Sequence, residues 1–198
     1  MIKMLVATNN KHKLEEIRDI LKEINIEVIS LQDAGIDIDV EETGETFIEN
    51  SLIKAREISK YTTLPVIADD SGLEVFALEG QPGVRSARYS GVEGDQKDKK
   101  NNEKLLKNLR NVPEDQRGAR FCSVISAVFP NGNEITAEGF VYGRIGYEEK
   151  GKYGFGYDPL FVVEDYNITM AQMESEAKNK ISHRANALKS LVEKLKKI

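Results

Sequence analysis

A chain of 198 residues suits one large domain or two small lobes, and at this size roughly 70% of the unfolded surface can be buried without staples. It is 40% hydrophobic and 31% charged with a net charge of -5, an ordinary globular composition with no global basic field to hold a nucleic-acid backbone. No stretch approaches the ~20 apolar residues of a membrane span, and the apolar residues 1–7 are too short for a signal h-region, so a cytoplasmic protein without membrane or nucleic-acid partners is the expectation.

Strand-like and helix-like patterns alternate, which argues for an α/β architecture. Residues 2–7 form a short buried strand, broken by the capping residues Thr8-Asn9-Asn10. Leu14, Ile17, Leu21 and Ile24 follow at helical spacing, and residues 27–31 suggest another strand. Thr46 opens a second helix: Thr46-Phe47-Ile48-Glu49 fits a capping box, and Leu52, Ala55 and Ile58 continue one face. Residues 64–68 are expected to be a strand ending directly on Asp69-Asp70. Residues 95–109 suggest a polar helix packed lightly on the outside, with Asp98-Lys99-Lys100 a solvated face. Residues 120–129 and 134–144 are β-rich, and Pro130-Asn131-Gly132-Asn133 between them carries the Asn-Gly hairpin signal. The only cysteine, Cys122, sits in this apolar run; it excludes a disulfide within the chain and is expected to be a buried small hydrophobe. Residues 160–163 form a further strand. A terminal helix begins near Ser182, buries Leu188, Leu191, Val192 and Leu195, and places Lys194, Lys196 and Lys197 at the negative end of its dipole.

Five segments can do chemistry. Thr8-Asn9-Asn10-Lys11-His12-Lys13 lies between a strand and a helix, where unpaired N–H groups and the dipole can hold an anion and Lys13 adds a full charge; a plain helix cap with solvent lysines is the bland alternative. It lacks the glycines and the Lys-Ser/Thr pair of a Walker A loop. Glu41-Glu42-Thr43-Gly44 offers adjacent carboxylates before a helix, which could equally be surface acids. Asp69-Asp70-Ser71-Gly72 is harder to explain blandly, because consecutive aspartates repel unless a cation is near, and magnesium takes one or two carboxylates plus phosphate oxygens and water. Gly151 and the aromatic-glycine run to Asp158 make a loop that can lay a ring against a flat ligand, or a glycine-rich turn with packing aromatics. Lys178 and Ser182-His183-Arg184 place donors at a helix start.

These blocks resemble the Ham1-type inosine triphosphate pyrophosphatase family. The resemblance covers nearly the whole chain. It rests on Thr8 to Lys13, Glu-Glu-Thr-Gly-Glu-Thr-Phe-Ile-Glu-Asn-Ser-Leu-Ile-Lys from Glu41 to Lys54, Ala68 to Leu73, Ser86-Ala87-Arg88-Tyr89-Ser90-Gly91, Gly154 to Phe161, and Ser182-His183-Arg184. It implies magnesium-dependent hydrolysis of ITP, dITP and XTP to the monophosphate and pyrophosphate. It also implies a homodimer of elongated two-lobed α/β protomers, one domain over residues 1–198, with a central twisted mixed sheet flanked by helices and the site in the inter-lobe cleft. By position, Asp70 would be the general base, and Glu41 with Asp70 would hold the metal. Thr8, Asn9, Asn10, Lys11, His12 and Lys13 would hold the phosphates, assisted by Ser71 and Lys178. Phe155, Gly156, Tyr157, Asp158, His183 and Arg184 would hold the base. Asp70, near a cation, is expected to stay ionised. Asn9 stands where the family often has glycine, Lys11-His12 replaces a glycine-containing pair, and Ser51 replaces a common alanine. The competing readings are a broad-specificity or modified-pyrimidine triphosphate pyrophosphatase, and a nucleotide-binding module without turnover.

Overall fold

The computed structural model describes residues 2–196; Lys197, expected at the end of the last helix, lies outside them. Among the described residues the elements are β1 (Ile2–Val6), α1 (Lys11–Lys22), β2 (Ile26–Ser30), α2 (Phe47–Ser59), β3 (Val66–Val75), α3 (Lys97–Asn108), β4 (Gly118–Val128), β5 (Glu134–Ile145), β6 (Phe161–Val163), α4 (Ser175–Ile181) and α5 (His183–Leu195). The strands make one six-stranded sheet in the order β2-β1-β3-β4-β5-β6. β1 is parallel to β2 and β3, and β6 is antiparallel to β5, so the sheet is mixed.

The chain divides into two units. The first holds the residues up to Asp70, Ser123–Gly139, and the residues from Ser182 onward. Its core explains the apolar run from Met4 to Ala7 at the end of β1. Met4 and Val6 pack with Ile17 and Leu21 of α1 and Leu188 and Leu191 of α5, while Leu5 and Ala7 pack with Ala55 and Ile58 of α2. A strand covered on both faces needs no polar alternation. Leu5, Ile17 and Leu21 are at most 1% exposed, and burial of each contributes about 1.5–3 kcal/mol.

Local chemistry sets the helix starts. Asn10 caps α1, its Oδ1 accepting from the N–H of Lys13 at 3.2 Å. The capping box of α2 is present in both directions: Thr46 Oγ1 accepts from the Glu49 N–H, and the Glu49 carboxylate accepts from Thr46 N–H. Ser182 caps α5 through the N–H of Ala185. α1 stops at Lys22, so Ile24 falls in the following turn and is 43% exposed rather than continuing the apolar face. Val192 and Leu195 are only partly buried, while Leu188 and Leu191 are in the core. Where α5 meets β5, a Cβ on Gly139 would collide with the backbone of His183 and Ala187.

β3 runs on through the acidic pair instead of ending before it. β1 stops at Val6, and its register with β3 ends at Ile67. Asp69 and Asp70 therefore lie just beyond the carboxyl end of β1, inside a strand that continues through Leu73 and Val75.

The second unit comprises Ser71–Cys122 and Phe140–Ile181. Leu73, Val75, Leu105, Leu109, Phe121 and Phe161 are in its core. Cys122, in β4 at the edge of this unit's segment, is buried. α3 is polar as the sequence indicates, but it does not pack lightly: Asn101 and Asn102 are buried beside Leu105.

Candidate active site

A strand interior that admits two aspartates must surround them with cations, and the first unit does so. Asp69 is 1% exposed and Asp70 4%. Asp69 Oδ1 accepts from Ser123 Oγ at 2.5 Å. Its Oδ2 lies 2.9 Å from Lys13 Nζ and accepts from Arg184 Nη2 at 3.2 Å. Arg184 Nη1 pairs with Glu16. Burial alone would push the Asp69 carboxyl up; Arg184, Lys13 and the Ser123 hydroxyl overcome it and hold the group well below the usual carboxylate range. Burial would likewise weaken the Arg184 charge, but Asp69 and Glu16 hold its guanidinium above its ordinary value.

Asp70 behaves oppositely. Burial pushes its carboxyl up, and Glu42 and Asp69 repel its charge, against the attraction of Lys54 and Lys13. The cations alone do not decide its ionisation, as the sequence argument assumed; desolvation outweighs them. Lys54 Nζ lies 2.7 Å from Glu42 Oε1, 2.7 Å from the Asp69 carbonyl oxygen to which it donates, and 3.8 Å from Asp70 Oδ1. Glu41, by contrast, is exposed. The acidic residue brought to the surroundings of Asp70 is thus Glu42.

The other expected residues of this unit are placed as follows. Thr8 Oγ1 accepts from the N–H of Asn10 at 3.2 Å, and Asn9 Nδ2 donates to the Ile38 carbonyl at 3.4 Å. Neither asparagine uses a left-handed backbone angle. Lys11 and His12 are exposed on the first turn of α1, while Lys13 turns inward to Asp69. No acid stands in that turn to compensate its positive end. His183 and Arg184, at the start of α5, are both buried. Ser51, the departure from alanine, shares a hydrogen bond of 2.6 Å with Ser126.

In the second unit, Asp158 Oδ2 accepts from the N–H of Phe155 at 3.0 Å and from Lys178 Nζ at 2.6 Å. Lys178 stands 4.9 Å over the Phe155 ring. Gly154 takes φ 74°, and a Cβ there would collide with Asp158 Oδ2. Tyr157 belongs to the core, its hydroxyl donating to the Ser86 carbonyl at 2.8 Å. Its side chain is a packing residue, and Phe155 is the half-buried ring of the loop. Ser71 and Lys178 are half-buried and buried in this unit.

The sequence gives no role to Lys54, Glu16 or Ser123, and offers Glu42 only as one of two adjacent carboxylates. Lys54 had a signal: it shares the α2 face with Phe47, Asn50, Ser51, Ala55 and Ile58, all buried, and a lysine on an inward face needs partners. Glu16 follows Lys13 at i+3. Among the described residues no group of three or more His, Cys, Asp or Glu side chains forms a metal cage. Magnesium does not need one, since one or two carboxylates and the ligand's phosphates suffice. Four carboxylates (Glu16, Glu42, Asp69, Asp70) here meet three cations (Lys13, Lys54, Arg184), among the described residues. That hard-oxygen, net negative set fits the ion.

Comparison with known proteins finds relatives over almost the whole chain. A family model described as the Ham1 family matches residues 4–194. The chain is 53% identical to a dITP/XTP pyrophosphatase of Clostridium perfringens, over 100% of this chain and 99% of that one. It is 46% identical to the dITP/XTP pyrophosphatase of Bacillus subtilis, over 96% of each. It also resembles the solved Ham1 protein of Staphylococcus aureus, with a TM-score of 0.85 at 43% identity over 98% of each chain. For the Ham1 protein of Coxiella burnetii the TM-score is 0.87 at 38% identity over 100% of each. Matched by the family model over residues 4–194 and by a relative at 53% identity over its whole length, the chain belongs to the Ham1 family.

Proposed function

We propose that this protein is an enzyme that hydrolyses ITP, dITP and XTP to the nucleoside monophosphate and pyrophosphate. The observation that carries this reading is the convergence of Lys13 and Lys54 on the buried pair Asp69–Asp70. The names of the relatives, dITP/XTP pyrophosphatases, support the substrate class.

In this mechanism Thr8, Asn9, Asn10, Lys11, His12 and Lys13 receive the polyphosphate at the amino end of α1, where N–H groups and Lys13 attract anions. Asp70 is the general base. Its carboxylate orients a water molecule and takes its proton as the oxygen attacks the α-phosphorus. The bond from that phosphorus to the bridging oxygen breaks, and pyrophosphate leaves. Lys13 and Lys54 offset charge on the phosphate oxygens, where phosphoryl-transfer enzymes do most of their work. Asp69 does not act as base, because Arg184, Lys13 and Ser123 hold it ionised and engaged. Magnesium, held by Glu42 and Asp70, would polarise the phosphates and offset the charge of the leaving pyrophosphate.

Phe155, Gly156, Asp158 and Lys178, with Ser71, His183 and Arg184, take the remainder of the nucleotide. Hypoxanthine and xanthine carry a 6-keto acceptor where adenine carries a 6-amino donor, so protein donors would face a donor if ATP entered. A site built for hydrogen bonds rejects such a mismatch because its own groups are left unpaired. We further propose a cytoplasmic homodimer; the lone buried Cys122 suits a reducing compartment.

Pyrophosphate release from ITP, XTP, dITP, GTP and ATP with magnesium tests the reading. Higher kcat/KM for ITP, dITP and XTP is the expected result. Equal values across all five would refute base selection, and no release from any would refute the activity.

A further inference from the structure

The polar face of α3 is turned inward, onto the loop of Gly154 to Asp158. Asp98 Oδ2 accepts from the N–H of Gly156 at 2.9 Å. Asn102 Nδ2 donates to the Gly156 carbonyl at 3.1 Å and to Glu149 Oε1 at 2.7 Å. The two side chains, at i and i+4 on the helix, therefore take both the donor and the acceptor of one residue. Gly156 has φ 61° and Gly154 φ 74°. A glycine-flanked loop otherwise samples many backbone conformations, and a grip on both polar groups of Gly156 selects one.

The neighbouring residue extends the same scaffold. Asn101 accepts from the N–H of Ser90 at 2.7 Å and donates to the Ser86 carbonyl at 3.2 Å. That carbonyl also takes the Tyr157 hydroxyl. Asn101 and Asn102 are 2% and 3% exposed. A helix placed only for packing would present apolar side chains at such positions. Here buried amides stand where apolar side chains would pack: Asn102 bonds the loop itself, and Asn101 bonds the segment whose Ser86 carbonyl takes the Tyr157 hydroxyl.

We propose that Asp98 and Asn102 are positioning residues for base recognition. By holding Gly156 from both sides they fix Phe155 and the Asp158–Lys178 pair in the conformation that meets a purine base. The inference rests on the assignment of that loop and Lys178 to the nucleotide made under Proposed function.

The test uses the full-length protein with Asp98→Ala, Asp98→Asn and, as a neighbouring control, Lys99→Ala. Hydrogen exchange of the loop amides reads the grip, and dITP kinetics read its use. In Asp98→Ala, exchange at Phe155 and Gly156 should accelerate, and KM for dITP should rise about tenfold, the worth of one hydrogen bond to a charged group, with kcat within about twofold of wild type. Asp98→Asn keeps an acceptor oxygen and should fall between wild type and alanine; if the alanine variant does not fold, this isosteric variant alone must raise KM. Lys99→Ala should match wild type. Faster exchange with unchanged KM, unchanged exchange, or a loss confined to kcat overturns the inference. Absence of dITP hydrolysis in the wild type removes the assigned function instead, so the two failures are read on different proteins.

Discussion

Replacing Asp69 with asparagine removes the charge shared by Lys13 and Arg184. Arg184 is 1% exposed, and breaking a buried ion pair by deleting one partner costs about 3–5 kcal/mol. Glu16 remains on the guanidinium, and asparagine keeps an oxygen for the Ser123 hydroxyl, so the low end, about 3 kcal/mol, applies. For a chain of this size each kcal/mol moves Tm by about 2–4 °C, giving a fall of about 6–12 °C at neutral pH. The pH dependence has a definite sign. The folded Asp69 carboxyl is held below its unfolded value, so its stabilisation is complete above about pH 4, the unfolded range, and is lost as pH falls through the folded value. The Tm gap between wild type and Asp69→Asn should therefore be constant from pH 7 to about 5 and close below about 4. Thermal melts followed by circular dichroism across that range provide the measurement. Carboxylates remote from Asp69 titrate alike in both proteins and cancel in the difference; Asp70, which the Asp69 charge repels, titrates lower in the variant. A gap under about 2 °C at neutral pH, less than 1 kcal/mol, or one that persists undiminished in acid, would refute the claim that Asp69 is the charge on which this network is built.

Three further outcomes are expected. Asp70→Asn should cut kcat by about 10²–10⁴, the usual worth of a general base, without lowering Tm, because burial already disfavours the charge it removes; near-normal turnover would sink the assignment. Gly154→Ala places a side chain on Asp158 Oδ2 at a left-handed position, and should cost about 1 kcal/mol or more while raising KM for dITP; an unchanged KM would separate the loop from substrate. EDTA should abolish pyrophosphate release and magnesium should restore it, with Glu42→Gln shifting the half-saturating magnesium concentration several-fold and Glu41→Gln leaving it in place.

Much of the first unit was legible because its signals are local. Asn10, Thr46 and Ser182 mark helix starts by their own hydrogen bonds, and the apolar spacing of Ile17 and Leu21 selects a face. The sequence pattern ends β3 before Asp69, because charged residues ordinarily end a buried strand. The compensating charges come from Lys13, Lys54 and Arg184, distant in the chain, and no local rule reveals that they converge. The inward-facing Lys54 could have been found by helical spacing; Ser123, one hydroxyl within an apolar strand, could not. α3 departs from its sequence pattern for a different reason. Polar residues on a helix usually face water, and only the loop they bond shows why Asn101 and Asn102 face inward. The same loop hides the split between Phe155, left half-exposed, and Tyr157, drawn into the core.

Gly139 shows how little tolerance the first unit leaves in its assembly. A single methyl there would meet the backbone of His183 and Ala187, and backbone cannot rotate aside as a side chain can. α5 would have to back away, taking Arg184 with it and loosening the register of Asp69 and Lys13. The alignment of the charged groups is thus calibrated by a residue with no charge and no side chain. Variation at position 139 should be filtered as severely as variation at the aspartates, through geometry alone.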